Sequence, residues 1–94
     1  MAHTLRYHHL VRKEDLPKLD KTTKTRMGKA IETRLMEAPE EYGELLRKTL
    51  KGYWKLRVRD YRVVFVVEGK EIMVLGIRYR RDIYEVMAEG RTDK

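Results

Sequence analysis

The spacing of apolar residues changes character half-way along the chain. In the first half, Met27, Ile31 and Leu35, with Ala30 and Met36 beside them, recur at intervals of three and four. That period predicts a helix with one apolar face, capped by Thr22 or Thr23 and ended by Pro39. Ahead of it, Arg12–Asp20 carries Leu16 and Leu19 and reads as a short helix that can hold Pro17 only in its first turn. His3–His9 is a candidate first strand with imperfect alternation. From Glu40 to Lys51 the pattern is ambiguous, with Leu45, Leu46 and Leu50 as core contacts in a loop or single turn.

After Gly52 the period falls to two. Tyr53–Val58, Tyr61–Glu68 and Glu71–Tyr79 are rich in Val, Ile, Tyr and Phe, and are joined by Arg59–Asp60 and Gly69–Lys70. Two-residue joints predict antiparallel hairpins, and Gly69 suits a position of positive φ. Asp82–Glu89 follows as a short helix that Asp82 can cap, and Gly90–Lys94 is expected to fray. The order is β-α-α-β-β-β-α. It predicts an α+β fold: an antiparallel sheet of about four strands, two N-terminal helices packed on one face, and a short C-terminal helix.

Tight turns fix the register, and the register fixes the faces. One face collects Trp54, Leu56, Val58, Tyr61, Val63, Phe65, Val67, Ile72 and Val74, a surface ready for the helices. The other collects Tyr53, Lys55, Arg57, Arg62, Val64, Val66, Met73, Leu75 and Ile77. On this second face Arg57 opposes Arg62, and Arg62 opposes Ile77. Like charges directly opposed cost a sheet up to ~1 kcal/mol. An anion lodged there offsets that cost, and phosphate suits guanidinium well; equally, the long stems can splay apart at little cost. Arg78, Arg80 and Arg81 follow at the end of the third run. Simple alternation puts Arg78 on the core face, whereas a bulge at Gly76 turns it over to join Arg62.

Charge then narrows the partners. The 94 residues suffice for one domain, with 22 Lys and Arg against 15 Asp and Glu, a net charge of +7. Such an excess favours polyanions: RNA, DNA, a ribosome or an acidic protein segment. There is no cysteine, so neither disulfides nor thiolate metal sites are available. No apolar run approaches a membrane span, and a cytoplasmic protein with no membrane partner is expected. His3, His8 and His9 all lie near the N-terminus, most simply exposed on or beside the first strand. Neighbours on a strand point apart, which argues against a His8–His9 metal site.

Two stretches carry a family resemblance. Leu50-Lys51-Gly52-Tyr53-Trp54-Lys55-Leu56-Arg57-Val58-Arg59-Asp60-Tyr61-Arg62-Val63-Val64-Phe65 resembles the LKG-Y-x-LRVGDYRVIY signature of the RelE/ParE toxin superfamily. Gly76-Ile77-Arg78-Tyr79-Arg80-Arg81-Asp82-Ile83-Tyr84 is similar to its GHRRDVY ending. The likeness is strong from Leu50 to Glu85 and weaker before. It implies a toxin of a type II toxin–antitoxin pair, bound by a cognate antitoxin, and monomeric when alone. RelE-type members cut mRNA in the ribosomal A site, against 16S rRNA, without metal or other cofactor. ParE-type members share the fold and act on DNA gyrase. By motif position the catalytic residues implied are Lys55, Arg62, Arg78 and Tyr84, with Lys51, Arg57, Arg80 and Arg81 as RNA-binding cations. One departure stands out: Tyr53 occupies a position that is lysine in close RelE relatives. A Glu–His mechanism is disfavoured, because no histidine lies near the site in sequence.

Metal-free RNA cleavage needs a base for the ribose 2′-hydroxyl, cations for the crowded phosphate, and an acid for the leaving 5′-oxygen. The roles implied are charge stabilisation by Arg62 and Lys55, proton donation or a second phosphate clamp by Arg78, and the base, or a stacking platform, by Tyr84. Free tyrosine titrates near ~10, so the base role requires neighbouring cations. The competing readings are a gyrase-directed toxin that cuts nothing, and a plain RNA- or ribosome-binding module.

Overall fold

The computed structural model describes residues 3–46 and 52–91. Lys51 and Leu50 lie outside the described residues. The elements run β1 (Thr4–Tyr7), two short helical turns (Val11–Asp15 and Leu16–Lys18), α1 (Lys21–Ala30) continued by a wider turn (Ile31–Leu35), α2 (Pro39–Tyr42), β2 (Gly43–Leu45), β3 (Tyr53–Val58), β4 (Tyr61–Glu68), β5 (Glu71–Tyr79), a 3-10 turn (Arg80–Asp82) and α3 (Glu85–Ala88). The strands form one sheet in the order β1-β5-β4-β3-β2.

The α+β class holds, with two corrections to the sheet. It has five strands, because Gly43–Leu45, expected as loop, pairs with β3. It is also mixed: β1 runs parallel to β5, since the helical segment carries the chain back across one face before β3 begins. The helix start moves as well. Asp20, not Thr22 or Thr23, caps α1, its Oδ1 accepting the Thr23 backbone N–H at 2.7 Å. Pro39 opens α2 instead of ending the previous helix, which is the position where its missing N–H is harmless.

Hydrogen bonding by the Thr23 side chain and backbone holds the Asp20 carboxyl below its ordinary range. A depressed carboxylate pKa adds stability above the unfolded value near ~3.9, and that stability is lost as pH falls through the folded value. Asp20→Ala should therefore lower the melting temperature at pH 7, with the gap to wild type closing as both are titrated to acid. A constant gap from pH 7 to pH 2 in thermal melts would refute the assignment.

Two apolar layers sandwich the sheet. Every residue expected on the core face lies in the first layer, under Met27, Ala30, Ile31 and Leu35 of the long helix, with Val11 and Leu19 alongside. The second layer joins Val64, Met73 and Leu75 of the opposite face to Leu46, Ile83 and Val86, with Tyr53, Val66 and Met87 at its rim. The C-terminal segment thus covers the apolar half of the second face. Leu45, expected in the core, is exposed. Asp82 does not cap the last helix, which starts after Tyr84.

The β3–β4 register is the one expected, with Val58 opposite Tyr61 and Arg57 opposite Arg62. Gly69 has the expected positive φ of 62°, and Arg59, in the other hairpin turn, has φ 55°. Between β4 and β5 the pairing slips: Phe65 faces Val74 but Val64 faces Gly76, leaving Leu75 as an extra residue. This bulge moves Ile77 to the core face beside Val63 and turns Arg78 over to face Arg62. Gly76 is required here, because a Cβ would come 2.5 Å from Val86 Cγ2 of the covering helix.

Candidate functional site

The bulge decides what the second face can do. With Arg78 turned over, Arg57, Arg62 and Arg78 form a row across β3, β4 and β5, each opposite the next. Arg57 is exposed and Arg62 half-buried. The Arg62 guanidinium leans over the hairpin turn, its Nη1 donating to the Arg59 and Tyr61 carbonyl oxygens, both at 2.9 Å. That anchorage restrains its fork beside Arg57.

Lys55 sits two residues before Arg57 on the same strand face, with its Nζ 3.9 Å from Glu44 Oε1. It joins two clefts. One, of about 300 Å³, is lined by Arg57, Arg62 and Lys55 on one wall and by Glu41, Tyr42 and Glu44 on the other. The second, of about 530 Å³, carries Lys55 and Glu44 on to Leu45, Trp54 and Tyr84. Gly43, Glu44 and Lys55 are common to both, so the clefts adjoin as one trough over β2 and β3. Tyr84 is 45% exposed and lies at its far end. Lys55, Arg57 and Arg62 therefore line one cleft, and Lys55 shares the adjoining one with Tyr84.

Arg78 is aligned with this group but its charge is committed elsewhere. Its side chain is only 12% exposed. Nη1 donates to Asp15 Oδ1 at 2.6 Å, Nε to Glu85 Oε1 at 3.2 Å, and Nη2 to both Glu89 oxygens at 2.9 and 2.8 Å. Burial opposes its charge, but the hydrogen bonds it donates to Glu89 and Asp15 outweigh it and push its pKa up. Arg80 and Arg81 point away from the row. Their guanidinium carbons stand 6.0 and 5.2 Å from the ring centre of Tyr79, which meets Tyr61 edge-on on the opposite face. Lys51 lies outside the described residues. His8 and His9, expected to point apart, stack at 4.5 Å because they lie in the turn beyond the strand. Among the described residues no three His, Asp or Glu side chains converge as a metal ion would need.

The comparison with family models matches residues 5–84 to the ParE toxin of type II toxin-antitoxin system, parDE. The chain belongs to this toxin family. Solved structures agree on the fold. The toxin–antitoxin complex RelBE2 of Mycobacterium tuberculosis matches at 23% identity and a TM-score of 0.78, over 85% of this chain and 100% of that one. A substituted Escherichia coli toxin RelE in the free state matches at 24% and 0.72, over 95% and 94%. The archaeal RelE-RelB complex of Pyrococcus horikoshii matches at 26% and 0.68, over 85% and 97%. A search of curated proteins finds no match.

The toxin also carries a polar centre that its sequence did not announce. β1 stops at Tyr7, opposite Val74, and leaves the rest of β5 without a strand on that side. Asp15 and Arg91 take that strand's place. Asp15 Oδ2 accepts the Ile77 N–H at 2.9 Å, and Arg91 Nη1 donates to the Leu75 carbonyl oxygen at 3.1 Å. The two side chains, both fully buried, pair with each other at 2.6 Å. Arg91 Nε is 2.9 Å from Glu89 Oε1, close enough for an ion pair but poorly directed for a hydrogen bond. The tail expected to fray is thus tied down at Arg91. Only the Glu85/Glu89 spacing hinted at this centre, being an i, i+4 pair on a helix seven residues past Arg78. A buried aspartate has no signature in sequence.

Proposed function

We propose that this toxin is a metal-independent endoribonuclease that cuts mRNA in the ribosomal A site and so stops translation. The observation that supports the reading is the trough that runs from Arg57 and Arg62 past Lys55 to Tyr84. In the reaction the ribose 2′-oxygen attacks its own 3′ phosphorus, the 5′-oxygen leaves, and a 2′,3′-cyclic phosphate forms. Arg62 and Lys55 stabilise the charge gathered on the phosphoryl oxygens. Tyr84 takes the 2′-hydroxyl proton, and Arg78 acts as second phosphate clamp or donor to the leaving oxygen once phosphate displaces Glu85 and Glu89 from it. The ribosome supplies orientation of the message, so RNA alone is cut slowly. Arg57 and Lys51 contribute phosphate contacts, and Arg80 and Arg81, which lie at Tyr79 on the other face, contact RNA away from the scissile bond. The cognate antitoxin is an acidic protein with an amphipathic helix that packs over this face and covers the cations; solved relatives in complex with antitoxins support such a partner.

A second reading has its own support. The matching family model is ParE, and the carboxylates around Arg78 subtract a cation from the row. In that reading the toxin acts on DNA gyrase and cuts nothing. Tyr84→Phe separates the two. Under the nuclease reading it should lower mRNA cleavage on programmed ribosomes by at least about a hundredfold, the lower end of what a positioned acid–base group contributes. Wild-type protein that leaves ribosome-bound mRNA intact yet inhibits gyrase supercoiling would replace this reading with the second.

A further inference from the structure

A large groove lies apart from the trough. It measures about 780 Å³ and runs along the outer side of α1 to the tip of the β3–β4 hairpin. Lys21, Arg26, Lys29, Arg34 and Arg59 line it, and none of the described residues lining it is acidic. Four of these cations lie along one helical stretch from Lys21 to Arg34, on the order of 20 Å at the usual rise. The intervals of five, three and five residues place them a few ångströms apart in series, which suits consecutive phosphates on a strand. Thr22, Thr25 and Thr33 stand among them on the same wall. Arg34 Nη1 also donates to the Arg57 carbonyl oxygen at 3.3 Å, tying helix to hairpin.

We propose that this groove is a second RNA-backbone site, distinct from the trough and holding a strand that is not cut. Its composition favours nucleic acid over a protein segment. Ala30 and Val58 are the only apolar residues among those lining it, so an amphipathic helix would find no pocket for its anchors, whereas phosphate contacts need only cations and hydroxyl donors. The hairpin tip links it to the trough: Arg59 is in the turn, and Arg57 and Arg62 flank it on the other face. RNA that follows the tip can engage both. This deepens the RNA reading above, but groove binding requires no cutting and can be measured when cutting fails.

The test uses the whole toxin and fluorescence anisotropy with two probes, a labelled RNA stem–loop and labelled poly-uridine, over a series of salt concentrations. Arg26→Glu with Lys29→Glu removes two exposed cations of the groove. Lys18→Glu with Lys70→Glu makes the same charge change on exposed residues elsewhere. The groove variant should lose about ten- to a hundredfold in affinity near 0.1 M salt. Its salt slope should be shallower by roughly 1.4 to 1.8, since each phosphate contact contributes about 0.7 to 0.9. The control variant should stay within about threefold of wild type, and both should melt like wild type. Stronger loss on the stem–loop assigns structured RNA to the groove; stronger loss on poly-uridine assigns a single strand. Arg62→Ala should keep the groove-dependent slope whether or not the toxin proves to be a nuclease. The proposal is overturned if the groove variant binds both RNAs as wild type does, if the control loses as much, or if only binding of an acidic peptide such as poly-glutamate falls.

Discussion

Arg62→Ala should cut mRNA on programmed ribosomes about a hundred- to a thousandfold more slowly than wild type, with the fold intact. The size follows from where the guanidinium stands. It lies in the middle of the row Arg57–Arg62–Arg78 and on the wall of the trough that ends at Tyr84. A preorganised cation facing developing phosphoryl charge is worth about 2.7 to 4 kcal/mol of barrier, the same range as one oxyanion donor. The stability cost is small by comparison. Arg62 gives up two bonds to turn carbonyls that solvent can replace, and a like-charge pair with Arg57 is relieved. Arg62→Lys should recover part of the rate, because it restores charge without the planar fork. Single-turnover cleavage with circular dichroism on the same samples checks both halves. Wild-type rate in the alanine variant, with a melting temperature unchanged, would remove Arg62 from the chemistry.

How much of this was readable beforehand depended on the range of the interaction. The hairpins were legible because alternation and a two-residue turn are local, and together they determine the partner of every residue from Tyr53 to Val66. The composition of the core face followed from the same arithmetic. The β4–β5 slip was foreseen only as an option at Gly76, since a bulge is chosen by what packs on the strand, here Val86. β2 was missed because three residues give no period. The parallel pairing of β1 was missed because strand direction in a sheet is set by how the intervening helix returns, not by the strand itself. Along the trough, strand register placed Lys55, Arg57 and Arg62 on one face, and the family motif alone pointed to Tyr84. The pairing of Arg78 with Asp15 could not, because it joins residues more than sixty positions apart, and the nearby Glu85 and Glu89 reach it only through the turn that folds the C-terminal segment back. Such pairing reflects tertiary packing, and the motif around Arg78 is the same whether its charge faces phosphate or carboxylate.

That pairing sets the second large effect. Asp15→Ala should destabilise the toxin by about 3 to 5 kcal/mol, the usual cost of stranding a buried charge. Asp15 is the shared counter-ion of two arginines: its Oδ2 serves Arg91 and its Oδ1 serves Arg78, both at 2.6 Å. Alanine leaves Arg91 fully buried beside Arg78, with only the half-exposed Glu14, Glu85 and Glu89 left to face the two charges, and it orphans the Ile77 N–H. For a chain of this size such a loss is a large part of the whole, given typical stabilities of 5–15 kcal/mol. Asp15→Asn keeps an acceptor for Ile77 and should fall between. Arg91→Met should cost less than Asp15→Ala, since Arg78 still neutralises Asp15 and the methionine fills much of the same space. The double change should cost less than the two single ones combined, because the groups act as a unit. Urea denaturation of the four proteins checks the order. Strict additivity, or an alanine variant within about 1 kcal/mol of wild type, would mean that the arginines are neutralised without Asp15. If the order holds, the same carboxylates that keep Arg78 from phosphate also hold the C-terminal segment on the sheet. A partner that lifts α3 would then expose Arg78 and weaken the fold in one step.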